Sequence, residues 1–468
     1  MNFTKVSSIL FAVLIFAAAV SAQPRQEKFS KGMPLTSPSR GADSKVVSGI
    51  PAPPQYQIFD IGIVQTGDSA SQGFGVSTAG VAVGRSVRTG GAQAYTWTQA
   101  GGIVGLPNLA GRSFCVSNGA ASSILVAGTC ASSLFGTSRL PVIWQNGVVS
   151  QLPLPSGETL GDANDVNASG VAAGSVNSGI LQRAVIYSGA TATVITQTTS
   201  NGSFFFTAFG INDSGRVVGQ GIDPSNAARN VGIVYDTGSS SAFEVGALSD
   251  GNGALAFGVS NAGHVVGSSM MNQGSGTPFI WTQAGGMIAI PFPAGTTQGS
   301  ARAVNSAGWA VGTASSAFAI PFLYDGTTTY RLADLIPAGT GWDLSTNTSS
   351  SALGISDGNV IVGTGVFNGQ THAYAMVPVA ANISVGGRIM TAGGNGIRNA
   401  LVTITGGNLP APVTAQTGSF GLYNFNGLQS GLTYTVTVQT QRYVLTQPTR
   451  IVTPQANVTD CDFTAIPQ

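Results

Sequence analysis

Charge is scarce in this chain. Asp, Glu, Lys and Arg make up 8% of its 468 residues, against roughly 25% in ordinary soluble proteins. That shortage excludes long solvent-exposed helices, which carry such residues on their wet face. The 19 basic and 18 acidic residues leave a formal net charge of +1, with no basic block after the first 50 residues. The cation clusters that neutralise phosphates are therefore missing, and no nucleic-acid partner is expected. Histidine occurs twice, as His264 and His372. With no convergent His, Cys or carboxylate spacing, no metal site and no cofactor are expected. Three cysteines are too few for a disulfide framework. Cys115 and Cys130 are a candidate bridge in an exported chain, and Cys461, in phase with Phe463, reads as a buried free thiol.

Long apolar runs are also scarce. One extends from Ile9 to Val20, after Lys5 and before the small residues of "VSAQ". It falls short of the about 20 residues that span a bilayer and reads as a secretory signal peptide over residues 1–22, cleaved before Gln23. No second run of spanning length follows, so a secreted or cell-surface chain without a transmembrane segment is expected.

What is abundant is glycine, 65 residues of it, and after a Pro- and Ser-rich leader at 23–53 it recurs in register. "GFGVSTAGVAVG" begins at Gly73, "SFCVSNGAASSILVAG" at Ser113 and "ANDVNASGVAAG" at Ala163. "AFGINDSGRVVG" follows at Ala208, "AFGVSNAGHVVG" at Ala256, "ARAVNSAGWAVG" at Ala301 and "ALGISDGNVIVG" at Ala352. Aligned on Val76, Val116, Val166, Ile211, Val259, Val304 and Ile355, the copies lie 40 to 51 residues apart. A second column ends on Trp97, Trp144, Tyr187, Tyr235, Trp281, Tyr324 and Met376.

In each copy two apolar runs flank a turn of Asn, Asp, Ser and Gly, as in a β-hairpin. The aromatic column supplies a third strand, and an apolar run after it a fourth. Four strands in about 45 residues are the pattern of a propeller blade. The seventh copy lacks its fourth strand, while an orphan, "YQIFDIGIV" from Tyr56 to Val64, precedes the first. Pairing the two would close the ring and remove its exposed edges. From Asn382 the phrase gives way to alternating strands such as Leu401-Val402-Thr403-Ile404 and Thr435-Val436-Thr437-Val438. The expected fold is all-β: a seven-bladed β-propeller over 54–380, followed by a small β-sandwich over 382–466.

The phrase A-x-G-I-N-x-x-G-x-V-V-G, with its aromatic third strand, resembles the HAF repeat of bacterial extracellular proteins. The likeness is clearest at Ala208–Gly219 and Ala256–Gly267 and weakest around Ser113 and Ala163. It implies a secreted or surface protein and brings no established reaction. The run G-R-I, G-I-R-N-A-x-V-x-I and T-x-S-F-G-x-Y-x-F within 382–465 resembles the carboxypeptidase regulatory-like domain, a transthyretin-like sandwich. That resemblance implies an accessory module.

Candidate chemistry is thin. "GISDG" at Gly354–Gly358 matches the G-x-S-x-G of serine hydrolases, but Ser356 fills the turn column held elsewhere by Asn167, Asn212 and Asn305, so it reads as a turn residue. Asp250 reads as a turn by the same logic. The densest acids are Glu158, Asp162 and Asp165 in "GETLGDAND"; Asp334 and Asp343 flank Trp342 in a longer loop. Either group suits a sugar or Ca²⁺ site, or is simply solvated. The recurring aromatic column reads as packing between blades. Trp309 and Trp342 fall outside it and are the candidates for surface contact. No catalytic residue is assigned. The favoured reading is a monomeric, non-enzymatic binding or adhesion scaffold, for an extracellular protein or glycan, with contacts in the variable loops between second and third strands. The alternatives are an extracellular carbohydrate-active enzyme using loop carboxylates and a purely structural surface component.

Overall fold

The computed structural model describes residues 53–133, 138–178, 181–249, 251–271, 276–379, 382–407, 409–430, 432–454 and 456–467. The expected signal peptide, nearly all of the leader, and Asp250 lie outside them. The described residues are all-β, with one 3₁₀ turn at Leu332–Leu335 and no α-helix among them.

Seven antiparallel units, here called sheets, follow in chain order, the first two joined into one eight-stranded sheet by a parallel bridge between Ala92 and Phe114. Each first strand touches the first strand of the next unit, the seventh returning to the first. These first strands are Ala70–Val76, Phe114–Ser122, Leu160–Val166, Phe204–Ile211, Gly251–Val259, Gln298–Val304 and Ser351–Ile355. The result is a propeller with its first strands around the axis. Middle strands such as Leu125–Ala131 are buried on both faces between neighbouring sheets, which is why small residues dominate them. Outer strands such as Thr191–Val194 alternate exposed and half-buried residues.

The core lies between sheets. Ala173 and Ala184 of the third sheet pack with Phe205, Ile211, Ile233 and Tyr235 of the fourth. The aromatic column belongs to this packing: Trp97, Trp144, Tyr187, Tyr235 and Trp281 are buried, as is Met376, and Tyr324 is half-buried. The orphan run contributes Tyr56–Asp60, which pairs antiparallel with Gln370–Pro378 as the outer strand of the seventh sheet, from Tyr56 opposite Pro378 to Asp60 opposite Tyr374. The Nδ1 of His372 and Oδ1 of Asp60, 2.9 Å apart, add a side-chain link to this closure. The described residues of 382–467 form two further four-stranded sheets that share one core, around Val385, Val402, Tyr434 and Phe463. Cys461 is buried there as a free thiol.

One alignment requires correction. In the second repeat Gly119 pairs with Ala127 and Ala120 with Val126, as Gly210 pairs with Val218 and Ile211 with Val217 in the fourth. The equivalent of Ile211 is therefore Ala120, four residues beyond Val116. The local likeness of "VSN" to the "VSN" at Val259 misled the sequence alignment; strand pairing decides the register. Cys115 stands directly opposite Cys130, with Cα atoms 4.1 Å apart, and the two form a disulfide across the first and second strands of this sheet.

Candidate functional site

Every first strand breaks its pairing at the same place. The register slips between Gly73 and Gly75, Ser117 and Gly119, Ala163 and Asp165, and Ala208 and Gly210. It slips again between Ala256 and Gly258, Ala301 and Ala303, and Ala352 and Gly354. A bulge leaves one residue unpaired and re-aims its side chain. The residues so released are Phe74, Asn118, Asn164, Phe209, Phe257, Arg302 and Leu353, and all seven line one axial cavity of about 370 Å³. The glycine closing each V-V-G stands opposite the bulge. A Cβ on Gly219 would overlap the Thr207 carbonyl oxygen and press on the Phe205 ring. Gly84, Gly128, Gly174, Gly267, Gly312 and Gly363 meet the equivalent carbonyl in their own sheets.

The opening of this cavity is built from the hairpin turns, whose polar residues join adjacent sheets. Asn167 Nδ2 donates to the Asn212 carbonyl at 3.1 Å, and Asn305 Nδ2 donates to that of Ser356 at 3.2 Å. The carboxylate of Asp213 accepts from Ala168 N at 2.8 Å and from Asn261 Nδ2 at 2.7 Å. Ser306 N donates to Asp357 Oδ1 at 2.8 Å. Ser356 is a buried turn residue here, its Oγ accepting from Val360 N at 2.9 Å.

Asp165 is the exception in this ring. Glycine or alanine stands at its position in the other six copies (Gly75, Gly119, Gly210, Gly258, Ala303 and Gly354). Its carboxylate accepts from Ile211 N at 3.0 Å and Val166 N at 2.9 Å, bridging the third and fourth sheets. Burial dominates its titration and pushes the pKa up to about 7, against the lowering effect of those two bonds. Arg302, in the same cavity, lies over the Phe257 ring at 4.1 Å. Solvent in the cavity reaches Arg302, yet the surrounding chain desolvates its guanidinium and lowers its pKa.

A second cavity, also about 370 Å³, opens at the other, loop end of the first four sheets, lined mainly by residues of their strands. Asn118, Asn164 and Phe209 line both cavities. Around it Asp162 Oδ2 lies 3.4 Å from Arg139 Nη2, and Asp162 Oδ1 accepts from Thr129 Oγ1 at 3.2 Å. Burial raises the Asp162 pKa, partly offset by Arg139 and by the hydroxyls of Thr129 and Ser175. Asn118 Nδ2 donates to the Ala163 carbonyl at 2.9 Å, and Gln182 Nε2 to Thr207 Oγ1 at 2.5 Å. The rings of Phe114 and Phe209 complete the wall.

The acids picked out in the sequence thus fall into different surroundings. Asp162 and Asp165 stand on the strand Leu160–Val166, not in a loop, and line the loop-end and turn-end cavities respectively. Glu158 is buried and paired with Arg183. The two tryptophans are turned partly inward. Trp309 and Trp342 are half-buried and pack against the core between the sixth and seventh sheets, Trp342 stacked on Phe367 with ring centroids 4.9 Å apart. Asp343 caps its own turn, accepting from Ser345 N at 2.9 Å and Thr346 N at 2.8 Å, and Asp334 is exposed on the 3₁₀ turn. His264 is half-buried, its Nδ1 3.3 Å from Ser260 Oγ.

Sequence reasoning missed the bulge ring, although a signal was present. The residue two positions before the aligned Val76, Ala120, Val166, Ile211, Val259, Val304 and Ile355 is Phe, Asn, Asn, Phe, Phe, Arg and Leu in successive copies, variation that an inward, unpaired position permits.

No protein-family model matches the chain, and none of the curated proteins does. Among solved structures it is similar to the oligogalacturonate lyase of Vibrio parahaemolyticus, at 9% identity over 69% of this chain and 93% of that one, with a TM-score of 0.45. It is similar to the β-propeller domain of the Trilobed protease from Pyrococcus furiosus, at 13% identity over 68% and 94%, with a TM-score of 0.36. The GH74 xyloglucanase of Xanthomonas campestris is a third likeness, at 10% identity over 88% and 81%, with a TM-score of 0.38.

Proposed function

We propose that this chain is a secreted or cell-surface binding module without catalytic activity, and that its ligand is a hydroxyl-rich glycan held in the loop-end cavity. One observation carries the reading. That cavity is walled by neutral amides and hydroxyls (Asn118, Asn164, Gln182, Thr129 and Ser175) beside Phe114 and Phe209, while its one carboxylate, Asp162, is already engaged by Arg139, Thr129 and Ser175. Amides and hydroxyls fix sugar hydroxyls, and aromatic faces take sugar C–H surfaces. A general acid or nucleophile needs a carboxylate free to act on substrate. Glu158, Asp162 and Asp165 all have internal partners. The Cys115–Cys130 disulfide fits an oxidising compartment, in keeping with the signal-peptide reading. The resemblance to HAF repeats points the same way, and 382–466, with its likeness to a carboxypeptidase regulatory-like domain, serves as the accessory module.

A glycan array probed with the mature chain tests this. Binding that is lost on Gln182→Ala and retained on Trp342→Phe is the expected result; silence across the array overturns the reading in favour of a structural surface component. One observation favours an enzyme instead: a carboxylate with a pKa near neutrality, Asp165, lines the adjoining cavity. Turnover on a polysaccharide panel that disappears in Asp162→Asn or Asp165→Asn would establish that alternative.

A further inference from the structure

Three charged side chains line the loop-end cavity: Arg85, Arg139 and Asp162. Arg139 and Asp162 face each other at 3.4 Å and neutralise one another. Arg85 is left as the surplus charge. It stands on the second strand of the first sheet, Ala82–Arg88, where its Nε donates to Gln72 Oε1 at 2.8 Å. Its guanidinium carbon lies 5.5 Å from the centroid of the Phe74 ring. Among the described residues no carboxylate pairs with it. The remaining face of the guanidinium fork, which has five N–H donors in all, is therefore left for another partner.

A guanidinium withdrawn from water without an anion is costly to hold. Arg85 is half-buried, and burial lowers its pKa from the ordinary arginine range without taking the charge from it near neutrality. The Phe74 face returns part of that cost through a cation–π contact, and Gln72 supplies one neutral acceptor. Neither supplies a counter-charge. A planar anion entering the cavity would do so, because the guanidinium fork matches a carboxylate at both oxygens.

We propose that the loop-end cavity selects acidic saccharides, the carboxylate of a uronic acid residue docking on Arg85 while the surrounding amides and hydroxyls take the sugar hydroxyls. The inference rests on the glycan-binding reading above and deepens it. Asp162 sets its limits: by neutralising Arg139 it keeps the cavity at a single net positive charge, suited to one carboxylate.

The test is calorimetry on the mature chain at pH 7 and low salt, with two probes: an oligomer of uronic acids and the same oligomer with its carboxylates reduced to alcohols. The acidic oligomer is expected to bind roughly 10- to 100-fold more tightly, the range of a charge-assisted pair. Arg85→Gln should bring the two probes to similar affinity. Arg85→Lys, which keeps the charge and loses the fork, should retain part of the preference. Asp162→Asn should strengthen binding of the acidic oligomer, and Arg302→Gln, in the other cavity, should leave the preference unchanged. Melting curves identify any variant that does not fold, and the gain expected from Asp162→Asn tests the charge balance without touching Arg85. Equal affinity for both probes in the parent chain would overturn the carboxylate assignment and leave glycan binding standing. A preference that survives Arg85→Gln, or vanishes in Arg302→Gln, would also overturn it. Failure of both probes to bind would remove the glycan reading together with it.

Discussion

The side chain of Asn212 joins two sheets. Its Nδ2 donates to the backbone carbonyl of Ser260 at 2.9 Å, 48 residues further along the chain. Its Oδ1 accepts from Arg216 N at 2.9 Å and from Ser214 Oγ at 2.8 Å, closing its own turn. The residue is buried. One amide thus fixes a hairpin and ties it to its neighbour. Ser77, Ser260 and Ser356 hold the same place in other copies and close their turns with a hydroxyl.

Asn212→Ala should therefore cost about 2–3 kcal/mol, since it leaves buried donors and acceptors unsatisfied. Asn212→Ser should cost less, because the serine can still close the turn. Denaturant midpoints for the two variants check the order; equal losses would mean that closing the turn contributes nothing, and an Asn212→Ser variant as stable as the parent would mean that the bond to Ser260 contributes nothing.

Gly219 answers to sterics. Its missing Cβ leaves room for the Thr207 carbonyl beside the bulge at Phe209. Gly219→Ala should cost about 3 kcal/mol or more, because a backbone atom has to move. Gly238→Ala, in an exposed turn where the new Cβ would meet only Asp236 Oδ1 at 3.3 Å, should stay within about 0.5 kcal/mol. Thermal melts of the pair supply the comparison.

The closing strand carries a buried hydroxyl without a partner. Tyr56 is 1% exposed, and its OH finds no hydrogen-bond partner among the described residues. Tyr56→Phe should stabilise the protein by about 1 kcal/mol, by removing an unsatisfied polar group. Tyr56→Ala should destabilise it by about 3–5 kcal/mol through the cavity it leaves. A Tyr56→Phe variant that melts below the parent would show that the hydroxyl does have a partner.

Asp165 gives stability a pH dependence of defined sign. Its folded pKa of about 7 lies above the ordinary 3.8, so the folded state holds a proton that the unfolded chain releases. Its contribution is most favourable below about pH 4 and declines as pH rises to about 7, by at most about 1.4 kcal/mol per pH unit. The stability difference between the parent and Asp165→Asn should fall with pH across that window and level off above it. A difference that stays constant from pH 4 to 8 would mean that the carboxyl ionises as an exposed one does.

The repeats were legible because each carries its own local instructions. "INDSG" in the fourth copy places a turn, "VVG" places a middle strand and the glycine a bulge requires, and Tyr235 places the ring that packs between sheets. The closing strand was legible as well, since Tyr56–Asp60 supplies the strand that the seventh copy lacks. The second copy was misaligned because "VSN" is too short to fix a register that the pairing of Gly119 with Ala127 sets. That the candidate acids do not form one cluster was illegible for a related reason. Proximity in "GETLGDAND" says nothing of orientation, and the bulge at Asn164 separates the surroundings of Asp162 from those of Asp165.

By itself, the sequence determined the repeating four-strand unit, its turns and the strand that closes the ring. These depend on turn chemistry, period-two burial and steric needs that act over a few residues. Only the tertiary structure decided which residues face the axis, that the turn asparagines join one sheet to the next, and that Arg85 lines a cavity with no acidic partner among the described residues. Those outcomes depend on residues some 45 apart, or on opposite sides of a bulge, which come together only when the ring closes.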